Sequence, residues 1–265
     1  MNIWTTKSIE LANQRNYLDL LYKVYPMSIN LRREITQETA NNIKHYLTHQ
    51  DKKNLLLTLL QQEIFPIKDS YVAYFKRDRS AIERNPNTLD RLFGILVDMG
   101  FDEIIDKISV PKETNRQIGP LFKRWIGTGA LGAKITDDFT YFINADQNII
   151  YNSSDDQMKN YAKQYLGYNH DKGLDFIAKF NNTYILAEAK FLTDFGGHQN
   201  SQFNDAIATM RSSLNKTDKK VKIISILDGV LYITGHHKMM KELCSFSDDE
   251  VVISSILLRD YLYQL

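Results

Sequence analysis

The 265-residue chain has one cysteine, Cys244, five prolines and almost no imbalance of charge: 33 Lys and Arg face 32 Asp and Glu, a net +1. A single cysteine excludes an internal disulfide and a cysteine-based zinc site. The near-zero charge excludes a histone-like or tail-type nucleic-acid binder and leaves room for a local basic groove. No run of about 18 apolar residues is present, and no basic N-terminal segment leads into an apolar one, so neither a membrane span nor a signal peptide is expected. The sequons at Asn152, Asn181 and Asn215 therefore lack a secretory context. What is present is 43% hydrophobic and 25% charged residues, enough apolar material for a sizeable core. The expectation is a soluble cytoplasmic protein with no membrane partner.

Organisation changes along the chain. Residues 1–125 hold 19 basic and 15 acidic side chains, residues 126–265 hold 14 and 17. Apolar residues recur at helical spacing from Ile9 to Val24, and further helices are expected at 34–48, 53–64, 88–99 and 116–126, punctuated by Pro26, Pro66, Pro86 and Pro111. Beyond residue 126 the period shortens. Strands are expected at 139–151, 174–180, 183–192, 221–227 and 251–257, with helices at 155–166 and 199–214. No internal repeat or low-complexity linker appears. The pattern predicts an α/β fold: a mixed sheet flanked by helices over 126–265, preceded by an N-terminal α-helical region over 1–125.

The informative segment runs from Gly173 to Phe191. Two apolar strands flank Asn181-Asn182, and asparagine tolerates the positive φ of a tight hairpin turn. With those two residues as the loop, Phe180 pairs with Thr183 and Asp175 sits opposite Glu188, about 5 Å away on one face. Lys190 projects from the same face. A three-residue loop would slip the register by one and separate the carboxylates. Opposed carboxylates repel, and a divalent cation between them reverses the sign. Hard oxygen ligands suit Mg²⁺, which takes only one or two protein carboxylates. A nearby lysine can hold or help deprotonate an attacking water and offset phosphate charge. Asp175, Glu188 and Lys190 on one face thus describe a metal-dependent phosphodiesterase site.

An acidic residue two before a lysine also occurs at Asp51-Lys52-Lys53 and Asp218-Lys219-Lys220, but in polar connections that read as solvated charge runs. At Glu188 the plain alternative is an edge hairpin with an ordinary Glu–Lys surface pair.

Asp175 followed thirteen residues later by Glu188-Ala189-Lys190 resembles the PD-(D/E)xK nuclease superfamily, and within it the type II restriction endonucleases. The stretches Phe191–Phe203 and Arg116–Trp125 are similar to such enzymes too. One departure is Leu174, where the superfamily name has proline. The resemblance implies a restriction-endonuclease-like core and sequence-specific, Mg²⁺-dependent hydrolysis of double-stranded DNA leaving 5′-phosphates. It implies that Asp175, Glu188 and the Ala189 carbonyl bind the metal and that Lys190 positions the water. A homodimer and a cognate DNA methyltransferase are the implied partners. Glu103 and Glu113 are candidates for a further acidic residue.

The segment after the catalytic strand offers Gly197, His198, Gln199, Asn200 and Gln202. Glycines allow close approach to a backbone, a helix N-terminus meets phosphate, and Gln and Asn pair bidentately with adenine. These five residues are the candidate DNA contacts, against the plain alternative of a polar helix cap. Lys76, Arg77, Arg79, Arg84 and Arg91 are interleaved with acids and read as solvated surface, and His236-His237 as a polar strand-end pair. Gly127–Gly132 fits a dinucleotide-binding spelling, but the expected helix before it and Thr136-Asp137-Asp138 after it argue for a hinge. Two rival functions stand: another nuclease of the superfamily acting in repair, junction resolution or transposition, and a non-catalytic DNA-binding module.

Overall fold

The structure, a computed structural model, describes residues 1–26, 32–111 and 115–265, without the side chains of residues 115–117. The chain divides into two compact units, one formed by residues 1–27 and 113–265 and the other by residues 28–112. The expected helical region, residues 1–125, is thus shared between them: its two ends belong with the sheet and its middle forms the second unit.

The first unit opens with α1 (Ile3–Ala12) and α2 (Tyr17–Val24). The single helical period read from Ile9 to Val24 is broken at Asn16, whose φ of 70° turns the chain between them. Among the described residues, the second unit is built from helices: α3 (Gln37–Thr48), α4 (Lys52–Gln61), α5 (Ser70–Arg77), α6 (Ala81–Arg84) and α7 (Pro86–Ile108). Its helices are capped where the sequence offers short oxygen side chains, with Thr36, Asp51 and Asp69 each accepting from a first-turn amide. Gly100 kinks α7 at φ 72°. Ile43, Leu55, Leu59, Leu92, Leu96 and Ile104 fill its core. Arg84 pairs with Asp78 and Arg91 with Asp69 at the surface of this unit, the solvated pattern expected of that basic cluster.

The chain then returns to the first unit through α8 (Asn115–Gly127), β1 (Lys134–Thr136), α9 (Phe139–Asn144), β2 (Ile149–Tyr151), α10 (Asp155–Tyr165), β3 (Phe176–Phe180) and β4 (Thr183–Leu192). It ends with α11 (Gly197–Met210), β5 (Lys220–Gly229), α12 (Lys238–Ser245), β6 (Val252–Ile253) and α13 (Leu258–Tyr263). The strands lie in sequence order, with β2–β3 and β3–β4 antiparallel and the outer pairs parallel. This is a six-stranded mixed sheet flanked by helices, an α/β architecture consistent with a restriction-endonuclease-like fold.

One expected strand is corrected. Residues 139–151 form β2 only at their end, and Phe139–Asn144 is helical. Asp138 accepts the Tyr141 amide as an N-cap, and Phe139 and Phe142, three apart, bury one helical face. Aromatic strand propensity loses to the cap and to packing on Tyr151 and Tyr161. The expected 251–257 strand likewise ends at Ile253 and continues as a 3₁₀ turn at Ser255–Leu257. The glycine-rich segment follows α8 rather than a strand, and Gly129 and Gly132 take φ of 79° and 73° in a turn.

The β3–β4 hairpin has the two-residue loop. Asn181 and Asn182 have φ of 46° and 62°, and Phe180 pairs with Thr183. Both signs match a type I′ turn, whose twist suits the flanking strands. On one face of β4 and β5 lies α11, where the Ser225 hydroxyl donates to the Ala206 carbonyl at 2.9 Å. The other face meets α2 and α8, through Tyr25 stacked on Phe122 and edge-on to Phe191. A buried carboxylate, Asp228, ties that side together. Its oxygens accept from the Tyr25 hydroxyl (2.8 Å), the Ser254 hydroxyl (2.6 Å) and the Ser255 amide (3.2 Å). Burial still pushes its carboxyl above the ordinary range, against those hydrogen bonds.

Two stability measurements check this account. Asn182→Val places a β-branched residue at positive φ and is expected to lower unfolding stability by about 1–2 kcal/mol in urea titrations, while Asn182→Gly does not. Tyr25→Phe removes one donor from a fully buried carboxylate and is expected to cost about 1–3 kcal/mol in the same assay.

Candidate functional site

The hairpin ladder ends at Phe176 paired with Ala187, one residue short of Asp175. There the Asp175 amide still donates to the Ala187 carbonyl at 3.0 Å. The Asp175 side chain then takes over from the ladder, its Oδ2 accepting the Ala189 amide at 2.8 Å. That bond turns the carboxylate toward β4, where Glu188 and Lys190 share a face. The register places the acidic pair and the lysine together, as the two-residue loop predicts.

Lys190 is the link between the carboxylates. Its Nζ lies 2.8 Å from Glu188 Oε1 and 3.4 Å from Asp175 Oδ2. Glu188 is 1% exposed, and a carboxylate so deep needs full compensation. It has it: Lys172 Nζ lies 3.3 Å from Oε1 and the Thr209 hydroxyl donates to Oε2 at 2.8 Å. Lys172 is in turn paired with Asp205 at 2.8 Å. Burial pushes the Asp175 carboxyl above its ordinary value, opposed by Lys190 and the Ala189 amide. Burial disfavours the Lys190 ammonium, but Asp175 and Glu188 outweigh it and hold its pKa above the usual lysine value. The site therefore confines a cation between a fully buried carboxylate, Glu188, and a half-buried one, Asp175.

Lys172, Asp205, Thr209 and Asp155 were not singled out from the sequence. Asp155 begins α10 and its charge further raises the Asp175 carboxyl. Gly173 allows its approach, since a Cβ there would lie 3.0 Å from the Asp155 Cβ. Lys123 of α8 pairs with Asp155 and donates to the Ser153 carbonyl at 2.8 Å. No local pattern marks these residues, because they reach the site from separate elements. Of the two acidic candidates named from sequence, Glu103 pairs with Lys107 in the helical unit, and Glu113 lies outside the described residues.

The oxygen donor set fits a divalent metal. Two carboxylates already close on one positively charged group, and the ligands are hard. Among the described residues no three His, Cys, Asp or Glu gather into a ready cage. Mg²⁺ does not require one, since it completes its octahedron with water and phosphate.

The five candidate DNA contacts lie in the first turns of α11, which starts at Gly197 rather than near Asn200. Gly197 and His198 are exposed. The Gln202 amide is 3.1 Å from the His198 ring, and Asn200 donates to the Phe195 carbonyl at 2.6 Å. Gln199 is different. It is 5% exposed and its carbonyl accepts the Thr193 amide at 3.1 Å, so it braces the end of β4. His237 caps α12, accepting the Met240 amide at 3.2 Å, so the histidine pair starts a helix rather than ending a strand.

No helix among the described residues is long and apolar enough to cross a membrane. No curated protein and no solved structure matches the chain. A family model does, over residues 2–265, the description being Tsp45I type II restriction enzyme. With this match added to the mixed sheet and the carboxylate–lysine hairpin, the chain belongs to the Tsp45I type II restriction enzyme family, and is a site-specific deoxyribonuclease, a hydrolase that binds double-stranded DNA.

Proposed function

We propose that this restriction enzyme hydrolyses its DNA at the Asp175–Glu188–Lys190 cluster, with Mg²⁺ as cofactor and 5′-phosphate products. The observation that carries the reading is the Lys190 ammonium held between Glu188 Oε1 and Asp175 Oδ2 at 2.8 and 3.4 Å. Type II restriction enzymes generally use divalent metal ions. Asp175 and Glu188, with the Ala189 carbonyl, would hold the ion. Bound there, it would neutralise phosphate charge and acidify a water.

The protein's own groups do the rest. The Ala189 amide orients Asp175, and Thr209 and Lys172 orient Glu188. Lys190, charged across the neutral range, holds the attacking water by hydrogen bonding and balances charge on the phosphate as the phosphorus–oxygen bond breaks. Partial burial excludes bulk water and strengthens each of these interactions.

Four residues separate the end of the catalytic strand from the N-terminal turn of α11, where Gly197 and His198 are exposed. Gly197, His198, Asn200 and Gln202 contact DNA there, Gln199 acting from behind through Thr193. The helical unit of residues 28–112, the middle of the 1–125 region, contributes DNA binding or dimerisation, and the unit of residues 1–27 and 113–265 holds the catalytic core. A homodimer matches a twofold-symmetric site. A cognate methyltransferase protects the host DNA, and the pair acts in the cytoplasm.

Glu188→Ala and Lys190→Ala are expected to lower plasmid cleavage by about 10²–10³-fold or more while duplex binding persists in a mobility-shift assay. Full activity in either variant would overturn the assignment. Chelation by EDTA is expected to stop cleavage and added Mg²⁺ to restore it, with end analysis of the fragments giving 5′-phosphate and 3′-hydroxyl.

A further inference from the structure

Glu188 presents two oxygens to two different surroundings. Oε1 faces Lys190 at 2.8 Å and Lys172 at 3.3 Å, on the side shared with Asp175. Oε2 faces α11 and meets the Thr209 hydroxyl at 2.8 Å. Thr209 is itself fully buried, near the C-terminal end of that helix. A glutamate side chain has three rotatable bonds, so its carboxylate plane is set by its neighbours. Among the described residues that hydrogen-bond or ion-pair with the Glu188 side chain, Thr209 is the uncharged one, and it holds Oε2.

A buried threonine in a helix has an alternative use, donating to the carbonyl four residues back. That acceptor is present: the Asp205 carbonyl lies 3.1 Å from the Thr209 oxygen. The hydroxyl carries one hydrogen. The carboxylate is closer and charged, and charge-assisted hydrogen bonds are roughly twice as strong as neutral ones. The bond to Glu188 therefore takes precedence.

We propose that Thr209 is a positioning residue for metal binding, its hydroxyl holding Glu188 Oε2 so that Oε1 is turned to the cation. This rests on the reading of Asp175 and Glu188 as the metal-binding pair. A partner of a metal ligand typically changes metal affinity or activity by about 10–100-fold when removed. Because threonine is neutral, its loss alters geometry without altering the charge at the site, which separates this role from that of either lysine.

The test titrates Mn²⁺ into the DNA-free protein, following the free-ion signal by electron paramagnetic resonance. Wild type, T209V, T209S, T209A and E188A are compared, with circular dichroism to establish folding. T209V is expected to weaken Mn²⁺ binding by about tenfold or more and to raise the Mg²⁺ concentration for half-maximal cleavage in parallel. T209S, which keeps the hydroxyl, is expected to restore both. If T209V does not fold, T209A carries the same expectation. Mn²⁺ binding unchanged in a folded T209V or T209A, beside an E188A that has lost it, overturns this inference alone. Unchanged binding in E188A overturns the metal-site reading beneath it.

Discussion

Two carboxylates on one partly buried face of a sheet repel each other, and nearly everything around Asp175 and Glu188 answers that repulsion. Lys190 lies between them, Lys172 adds a second positive charge at Glu188 Oε1, and the Ala189 amide and Thr209 hydroxyl take the remaining strong donors' places. Without such compensation a carboxylate as enclosed as Glu188 would lose far more in hydration than a strand could return.

The backbone solves a second problem, that of bringing the acids together in the first place. The hairpin turn at Asn181-Asn182 sets the register, and the ladder stops at Phe176 and Ala187. The site begins at the residue where regular pairing ends. Asp175 is released from the sheet's hydrogen-bonding pattern enough for its side chain to bond the Ala189 amide. A fully paired strand would have used that region of the backbone for the ladder alone.

The opposite face of β4 and β5 carries a second buried network. Asp228, enclosed by Tyr25, Ser254 and Ser255, joins α2 and the 3₁₀ turn at Ser255–Leu257 to the end of β5. Phe191, beside Lys190 on β4, pairs with Asp228 on β5 and packs against Tyr25. A polar network on one face and a cation-bearing site on the other therefore share the same few residues of strand. Net neutrality of the whole chain conceals this arrangement, because opposite charges are paired locally.

The sequence by itself determined the hairpin, its two-residue loop and the resulting proximity of Asp175, Glu188 and Lys190, since side-chain alternation and turn chemistry act over neighbouring residues. It also determined the mixed α/β architecture and the boundaries of β4, α10 and α11 to within a few residues. Residues 139–144 went the other way: Phe139, Tyr141, Phe142 and Ile143 read as strand, and the Asp138 cap with packing on Tyr151 made them helix. The inward role of Gln199 was equally hidden, because its partner is the Thr193 amide in a turn. Only the tertiary structure decided that Lys172, Asp205 and Thr209 surround Glu188 and that Asp155 approaches Asp175. Those contacts cross between β4, α10, α11 and the connection before β3. Their energy comes from burial and charge in the folded unit, and no local pattern of residues encodes it.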